Sequence, residues 1–180
     1  MSLKGAGAIR FWGFSPAVDL LAHGGEAAED GEDAQPLRAL LLCPSDVRHL
    51  MQTLTAAVLG PESKSGSRAV EFTVYEEAPE ALARHLLLLA IALDMEVPRR
   101  ERAELFLEVY ANAMLREKTS SYVASRAQAL RRLLAQEEGP LAPLIDVSLL
   151  KMRVRGAPRE GRPTLVTARV ATQSGSREWA

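Results

Sequence analysis

The residues best suited to chemistry in this sequence lie where two apolar runs end. Cys43, Pro44, Ser45 and Asp46 follow the first run, and Glu76 closes the second. In open α/β sheets, ligands bind outside the carboxyl ends of the strands, where helix N-termini present free N–H groups. An acidic residue at the end of the second strand often holds a ribose. This order of residues is therefore typical of a nucleotide-cofactor site.

The loop that would have to cradle such a cofactor argues against one. Cofactor loops use glycine so that the backbone approaches the ligand closely, but Cys43 to Asp46 contain no glycine. Pro44 also lacks a backbone N–H, and Asp46 places negative charge at the mouth of the loop. We expect no cofactor, and we interpret the region as a degenerate nucleotide-type scaffold.

The order strand, loop, helix, strand and acid is nevertheless similar to that of S-adenosylmethionine-dependent methyltransferases. The alternative interpretation is therefore a methyltransferase that acts on a protein substrate. Its candidate cofactor contacts are Cys43, Ser45, Asp46 and Glu76.

The histidines and the single cysteine do not predict a metal site or a nucleophile. His23, His49 and His85 are dispersed, and no HxxxH, CxxC or HExxH spacing occurs. A zinc site needs several such ligands close together. We expect His49 and His85 to pack beside apolar positions of helices, and Cys43 to be a small buried residue.

Two strand-and-helix units precede the middle of the chain. Leu37 to Cys43 is a continuous apolar run, which predicts a strand buried on both faces. Ser45 is a suitable N-cap for the following helix, with Asp46 in its first turn, and Gly60-Pro61 ends that helix. Val70 to Tyr75 is β-branched and aromatic, which predicts the second strand.

After the second strand, the sequence is mainly helical. Pro79 begins a helix that is apolar nearly all round, as is typical of a helix buried in the middle of a domain. Pro98 begins a third helix with Tyr110 and Met114 among its inner residues, and Thr119 or Ser120 caps a fourth. Leu149 to Val154 is a weaker candidate for a further strand.

These elements predict an α/β fold with a partial Rossmann-like, methyltransferase-like parallel sheet and a helix-rich second half. Only two strands are clear, so the sheet needs further elements to be complete. We expect three regions: an N-terminal segment and a flexible acidic loop in residues 1–36, the α/β domain in 37–151, and a disordered tail in 152–180. From Lys151 onward there are seven basic but only two acidic residues, with interspersed Gly and Pro.

The composition fits a soluble cytoplasmic protein. Apolar residues make up 47% and charged residues 25% of the 180 residues, as in ordinary globular domains. The net charge of −1 does not favour specific binding to nucleic acid, which needs a basic surplus. One cysteine excludes an internal disulfide and suits a reducing compartment. No secretory signal is seen, and the longest apolar run, Leu86 to Leu93, is too short to cross a membrane.

An aromatic run near the start carries a family resemblance. Phe11 to Leu20 contains one of the two tryptophans and two of the four phenylalanines, next to Gly13 and Ser15-Pro16. Together with Leu40–Leu50 and Glu104–Arg116, this run resembles the axonemal dynein assembly factor 3 family. The resemblance covers roughly residues 11–151. Trp12 and Phe14 are expected to cap the core, and a partner-binding patch is the alternative interpretation.

The resemblance implies a non-catalytic, cytoplasmic role in building the dynein arms of motile cilia. The implied partners are axonemal dynein chains, cytosolic chaperones and other assembly factors, with no cofactor. It also implies that family members continue into a second large C-terminal region, so that this chain corresponds to their N-terminal domain. The residues expected to serve architecture or partner contact are Trp12, Gly13, Ser15, Pro16, Asp19, Asp46, Arg48, His49, Glu76, Glu108, Asn112 and Arg116.

Overall fold

The computed structural model describes residues 13, 15–22, 37–59, 70–76, 78–148 and 164–170. These ranges contain four strands and four helices, in the order β1 Leu37–Leu42, α1 Arg48–Leu59, β2 Val70–Glu76, α2 Pro79–Ala92, α3 Arg99–Ala111, α4 Glu117–Gln136, β3 Ile145–Asp146 and β4 Thr164–Val170. The fold class is mixed α/β, as predicted. None of the helices in the described ranges has the length and apolarity needed to span a membrane.

The four strands form one sheet in the order β1-β2-β4-β3. β1 and β2 are parallel, with Leu37 opposite Val70 and Leu42 opposite Tyr75. This pairing confirms the prediction of parallel neighbours joined through a helix. β4 runs antiparallel to both β2 and β3, so the complete sheet is mixed.

The alternation of side chains in β2 places the core on one face of the sheet. Val70, Phe72, Val74 and Glu76 are buried, whereas the residues between them are only half-buried. Because side chains of a strand point alternately to opposite faces, this pattern identifies the face that the helices cover. Leu50 of α1 belongs to the same buried apolar cluster.

β1 corrects the expectation of a strand buried on both faces. Leu41 is buried, but Leu40 is 63% exposed and Leu42 is 66% exposed. β1 is the terminal strand of the sheet, so its second face lacks the cover that a central parallel strand has. Cys43, which directly follows it, is also exposed and not buried as expected.

α2 is the central helix of the fold, which confirms the prediction from its apolar surface. Leu88 and Leu89 pack in the cluster that includes β2 and α1. Leu82 and Leu86 belong to a second buried cluster, formed with residues of α4 and the β3 region. A helix that contributes to two cores needs apolar side chains around most of its circumference.

The junction between α3 and α4 differs from the expected one. α3 ends at Ala111, and Met114 lies beyond it with its side chain exposed rather than on an inner face. α4 begins at Glu117, so Thr119 is a buried residue of its first turn and not its cap. The cap position is occupied by Arg116.

β3 and β4 are the two described elements that the sequence patterns do not predict. β4 is the longer of the two. It lies within residues 152–180, for which a disordered tail is expected, and for Thr164–Val170 this expectation does not hold. The acidic loop, the candidate strand at Leu149 to Val154, Trp12 and Phe14 lie outside the described residues.

Candidate functional site at the start of α1

A sharp turn connects β1 to α1. Cys43 and Ser45 have φ angles of 45° and 67°, in the left-handed region that non-glycine residues rarely adopt. The Asp46 Oδ1 atom accepts the backbone N–H of Arg48 at 3.0 Å. Asp46 therefore takes the capping role that was expected of Ser45.

The carboxylate of Asp46 joins three parts of the fold. It is 0% exposed. Its Oδ2 atom accepts the Gly13 N–H at 3.0 Å, the Arg48 Nη1 donor at 2.7 Å and the Tyr110 hydroxyl at 3.2 Å. Burial and the nearby Asp46 charge raise the pKa of Tyr110, which keeps its hydroxyl protonated as a donor. The N-terminal segment, α1 and α3 thus meet at one buried charge.

Glycine is required at position 13 by the guanidinium of Arg48. The Arg48 Nη2 atom donates to Ser15 Oγ at 2.9 Å while Nη1 binds Asp46. A Cβ atom on Gly13 would lie 2.0 Å from Nη2 and 2.3 Å from Nη1. Any side chain at this position would therefore displace the arginine from both partners.

The N-terminal segment runs alongside α1. The structure describes Gly13 and Ser15–Ala22 of this segment. The Val18 N–H donates to His49 Nδ1 at 3.1 Å, and the Leu20 N–H donates to Thr53 Oγ1 at 2.9 Å. Leu20 and Leu21 pack on the edge of the core. The predicted residue His49 is thus half-buried and serves as a hydrogen-bond acceptor for this segment.

We predict that Gly13→Ala loosens the N-terminal segment without unfolding the domain. The added methyl group displaces the Arg48 guanidinium, so that the hydrogen bonds to Asp46 and Ser15 are lost. The amides of Val18 and Leu20 should exchange at least about tenfold faster, a change that corresponds to roughly 1.4 kcal/mol of lost protection. Hydrogen exchange followed by mass spectrometry or NMR measures this.

Ala17→Ser is the matched control for that substitution, since Ala17 belongs to the same segment and is exposed. Its exchange rates should equal those of the unmodified chain. Unchanged protection of Val18 and Leu20 in Gly13→Ala would mean that Arg48 does not hold the segment.

Glu76 lies beneath the β1–α1 turn and faces inward. Its Oε1 atom is 3.8 Å from Nε2 of His85, and both side chains are buried. The backbone of Ser45 hydrogen-bonds to the His85 ring, and desolvation by burial lowers the pKa of His85. Glu76 thus packs against a neutral histidine in the protein interior.

Two cavities of about 310 Å³ each open elsewhere in the described structure. One lies between α1 and α3, and the other lies among α2, α4 and residues 138–144. Neither is lined by the candidate cofactor contacts Cys43, Ser45, Asp46 and Glu76.

A second polar cluster holds α3 against α4. The Glu108 carboxylate accepts the Arg116 backbone N–H at 2.6 Å, Arg116 Nε at 2.8 Å and the Thr119 hydroxyl at 2.8 Å. Hydrogen bonds from Arg116 lower the pKa of Glu108 to about 2. Asn112, the residue after α3, donates its N–H to the Glu108 carbonyl. Glu108 therefore fixes the turn and caps the start of α4.

We predict that Glu108→Gln lowers the melting temperature in a pH-dependent way. The folded-state pKa of Glu108 is depressed from 4.5 to about 2. Its stabilising contribution is therefore complete above pH 4.5 and is lost as the pH falls towards 2. The difference in melting temperature between the two proteins should be largest at neutral pH and should vanish near pH 2.

Glu104→Gln provides the control for this pH series. Glu104 lies on the same helix and pairs with Arg100, but both side chains are largely exposed. Exposed ion pairs contribute little to stability, so this variant should have the same melting temperature as the parent at every pH. A difference for Glu108→Gln that does not change with pH would contradict the assignment.

The structure brings together some of the predicted residues and separates others. Gly13, Ser15, Asp46, Arg48 and His49 form one site, whereas Glu108, Asn112 and Arg116 form the α3–α4 cluster. Asp19 accepts the N–H of Leu21 within its own segment, and Pro16 is exposed.

Two residues of the site were missed as polar contacts. Tyr110 was expected only as an inner residue of the third helix, and Thr53 was not singled out. A tyrosine on an apolar face usually finds a partner for its hydroxyl, so the position of Tyr110 could have indicated a polar contact. Nothing in the sequence around Thr53 indicated its contact with the N-terminal segment.

A third polar cluster, also missed, joins the end of α2 to α4. Asp94 is buried and accepts the Tyr122 hydroxyl at 2.6 Å and Arg126 Nη2 at 2.5 Å. Burial and the bond to Asp94 raise the pKa of Tyr122 to about 12. Arg126 also lies over the Tyr122 ring. This cluster borders the cavity between α2 and α4.

The fold and the site together define a mixed α/β domain whose N-terminal segment is held along a helix by a buried carboxylate and an arginine. The chain belongs to the family defined by a domain of unknown function, DUF4470, whose model matches residues 11–115. The matched range includes every residue of the site around Asp46.

The similar proteins are dynein axonemal assembly factors, which confirms the resemblance found in the sequence. The chain is 39% identical over 165 residues to the "Dynein axonemal assembly factor 3 homolog" of Chlamydomonas reinhardtii, a match that covers 79% of this chain and 23% of that protein. It is 36% identical over 162 residues to "Dynein axonemal assembly factor 3" of Bos taurus, a match that covers 85% of this chain and 29% of that protein. It is 35% identical over 163 residues to the Homo sapiens protein of that name, and this match covers 86% of this chain and 29% of the human protein.

The match thus spans less than a third of the length of each of these relatives. No solved structure matches the chain significantly.

Proposed function

We propose that this chain supports the assembly of axonemal dynein arms in the cytoplasm through protein–protein contact and without catalysis. The relatives' names support the link to dynein assembly. The observation that carries the non-catalytic part is the site around Asp46. At the carboxyl ends of β1 and β2, where an α/β enzyme holds its cofactor, this chain places its own Gly13 and Arg48 on a buried carboxylate.

We also propose that the β1–α1–β2–α2 unit is part of a degenerate Rossmann-like scaffold. Its support is the parallel pair of strands connected through a helix, with α2 following directly. The scaffold keeps the shape of a nucleotide-binding half while the cofactor position serves to anchor the N-terminal segment.

The anchored segment is suited to partner contact. Its backbone is fixed at Gly13, Val18 and Leu20, whereas Ser15 through Val18 remain exposed. A segment that is ordered before binding loses less conformational entropy on association. We propose that dynein chains, together with chaperones or other assembly factors, contact this exposed stretch.

Binding to purified axonemal dynein heavy-chain fragments tests the proposal. Val18→Asp should weaken binding at least about tenfold, because it places an unpaired charge in an apolar contact. Met95→Asp is the matched control, since Met95 is another exposed apolar residue and lies after α2. Equal binding by both variants and the parent would contradict contact through the N-terminal segment.

Titration with S-adenosylmethionine and S-adenosylhomocysteine separates this proposal from the methyltransferase alternative. We expect no heat of binding and no shift of the melting temperature in folded protein. Micromolar binding that is lost in Glu76→Ala would overturn the non-catalytic proposal and make methyl transfer the leading function.

A further inference from the structure

Among the residues that the structure describes, none pairs with the outer edge of β1, which leaves the backbone groups on that edge unpaired. β1 is the end strand of the sheet, and within the described residues it pairs with β2 alone. The Cys43 N–H donates to the Tyr75 carbonyl across the β1–β2 side at 2.8 Å. Since successive N–H groups of a strand point to opposite sides, those of Leu40 and Leu42 point to the free edge.

The same two residues carry the largest exposed apolar side chains of the strand. Leu40 and Leu42 are 63% and 66% exposed, and the register places them beside Thr73 and Tyr75 on the face away from the helices. Proteins normally protect such edges with charges, proline or bulges. Here the charged pair Arg38–Glu71 protects only the start of the strand.

Parallel strands normally lie inside a sheet and are covered on both faces. β1 is parallel to its neighbour but lacks that cover, so it has the character of an inner strand at an outer position. The relative from Chlamydomonas reinhardtii matches this chain over only 23% of its own length. Most of that protein is therefore available to supply the missing neighbour.

We propose that β1 is an interaction surface that accepts a further strand from the region of the longer relatives outside the matched segment. The incoming strand would bond to the outward N–H and C=O groups of β1, and its apolar side chains would cover Leu40 and Leu42. This interface is independent of the proposed contact with dynein chains.

A binding experiment tests this interface in two polypeptides. The complete chain is titrated with the Chlamydomonas relative from which the matched segment has been removed. Leu40→Lys combined with Leu42→Lys should weaken binding at least about tenfold, because two charges would be buried in the new contact. Leu107→Lys is the matched control, since Leu107 is 61% exposed on α3, and it should bind as the parent does.

Hydrogen exchange distinguishes strand addition from packing on the face alone. The amides of Leu40 and Leu42 should exchange freely in this chain, and the matching amides in the intact full-length relative should be protected at least about tenfold more. The Leu41 amide, which points towards β2, is the internal reference. Equal exchange in the full-length relative would overturn the proposal. Dimerisation of this chain that the two lysine substitutions abolish would also overturn it, because a second copy would then be the occupant.

Discussion

Asp46→Ala is expected to lower the free energy of unfolding by about 3 kcal/mol, because removing one partner of a buried ion pair leaves the other uncompensated. The Asp46 carboxylate is fully buried and accepts hydrogen bonds from Gly13, Arg48 and Tyr110. Its loss leaves the Tyr110 hydroxyl and the Gly13 N–H without that acceptor. Urea unfolding followed by circular dichroism measures the change.

Asp146→Ala is the matched control for this prediction. Asp146 also accepts a backbone N–H two residues later, from Ser148 at 2.8 Å, but its side chain is exposed. The cost of that substitution should stay below about 1 kcal/mol. Equal losses in the two variants would mean that Asp46 acts only as a local cap and does not join the N-terminal segment to α3.

Phe72→Ala is expected to cost about 4 kcal/mol, which is typical of removing a fully buried aromatic ring. Phe72 is 0% exposed and lies in the middle of β2, on the face covered by the helices. Its register partner on β1 is Ala39, which is too small to fill the resulting cavity. Thermal and urea unfolding should both show the loss.

Phe106→Ala removes the same side chain from a half-buried position on α3, where it stacks on Tyr110. We expect less than half the loss seen for Phe72→Ala, since the remaining space is open to solvent. If the two variants were equally destabilised, burial in the sheet would not determine the difference.

Local signals in the sequence were sufficient to predict six of the eight elements in the described part of the chain. The apolar run of β1, the β-branched and aromatic residues of β2, and Pro79 and Pro98 at helix starts each act through neighbouring residues. The start of α4 was placed three or four residues late because Thr119 and Ser120 resemble caps. The Thr119 hydroxyl instead binds Glu108, eleven positions earlier.

The missing information is mostly non-local. A continuous apolar run does not reveal whether a strand lies inside a sheet or at its edge, so the exposure of Leu40 and Leu42 could not be predicted. β4 contains the β-branched residues typical of strands, but the surrounding Gly, Pro and Arg outweighed that signal. The contact of Tyr110 with Asp46 spans 64 positions and has no counterpart in local spacing.

The candidate site was predicted as a set of residues but not as an arrangement. Gly13, Asp46 and Arg48 were each singled out, and the structure places them in contact. The sequence did not show that the N-terminal segment runs along α1, because this course depends on hydrogen bonds to His49 and Thr53.

The sheet is completed late during synthesis of the chain, because β4 is its last strand in the sequence. β2 pairs with β1 on one side and with β4 on the other, so Val70 finds its second partner only when Val170 has been made. Pairing across such a long separation is slow because the intervening chain must lose entropy before any contact forms. Until then, one edge of β2, with Phe72 at its centre, has no strand beside it. Unpaired strand edges in partly folded chains promote aggregation. The interval between the synthesis of β2 and that of β4 is therefore when the newly made protein most needs protection.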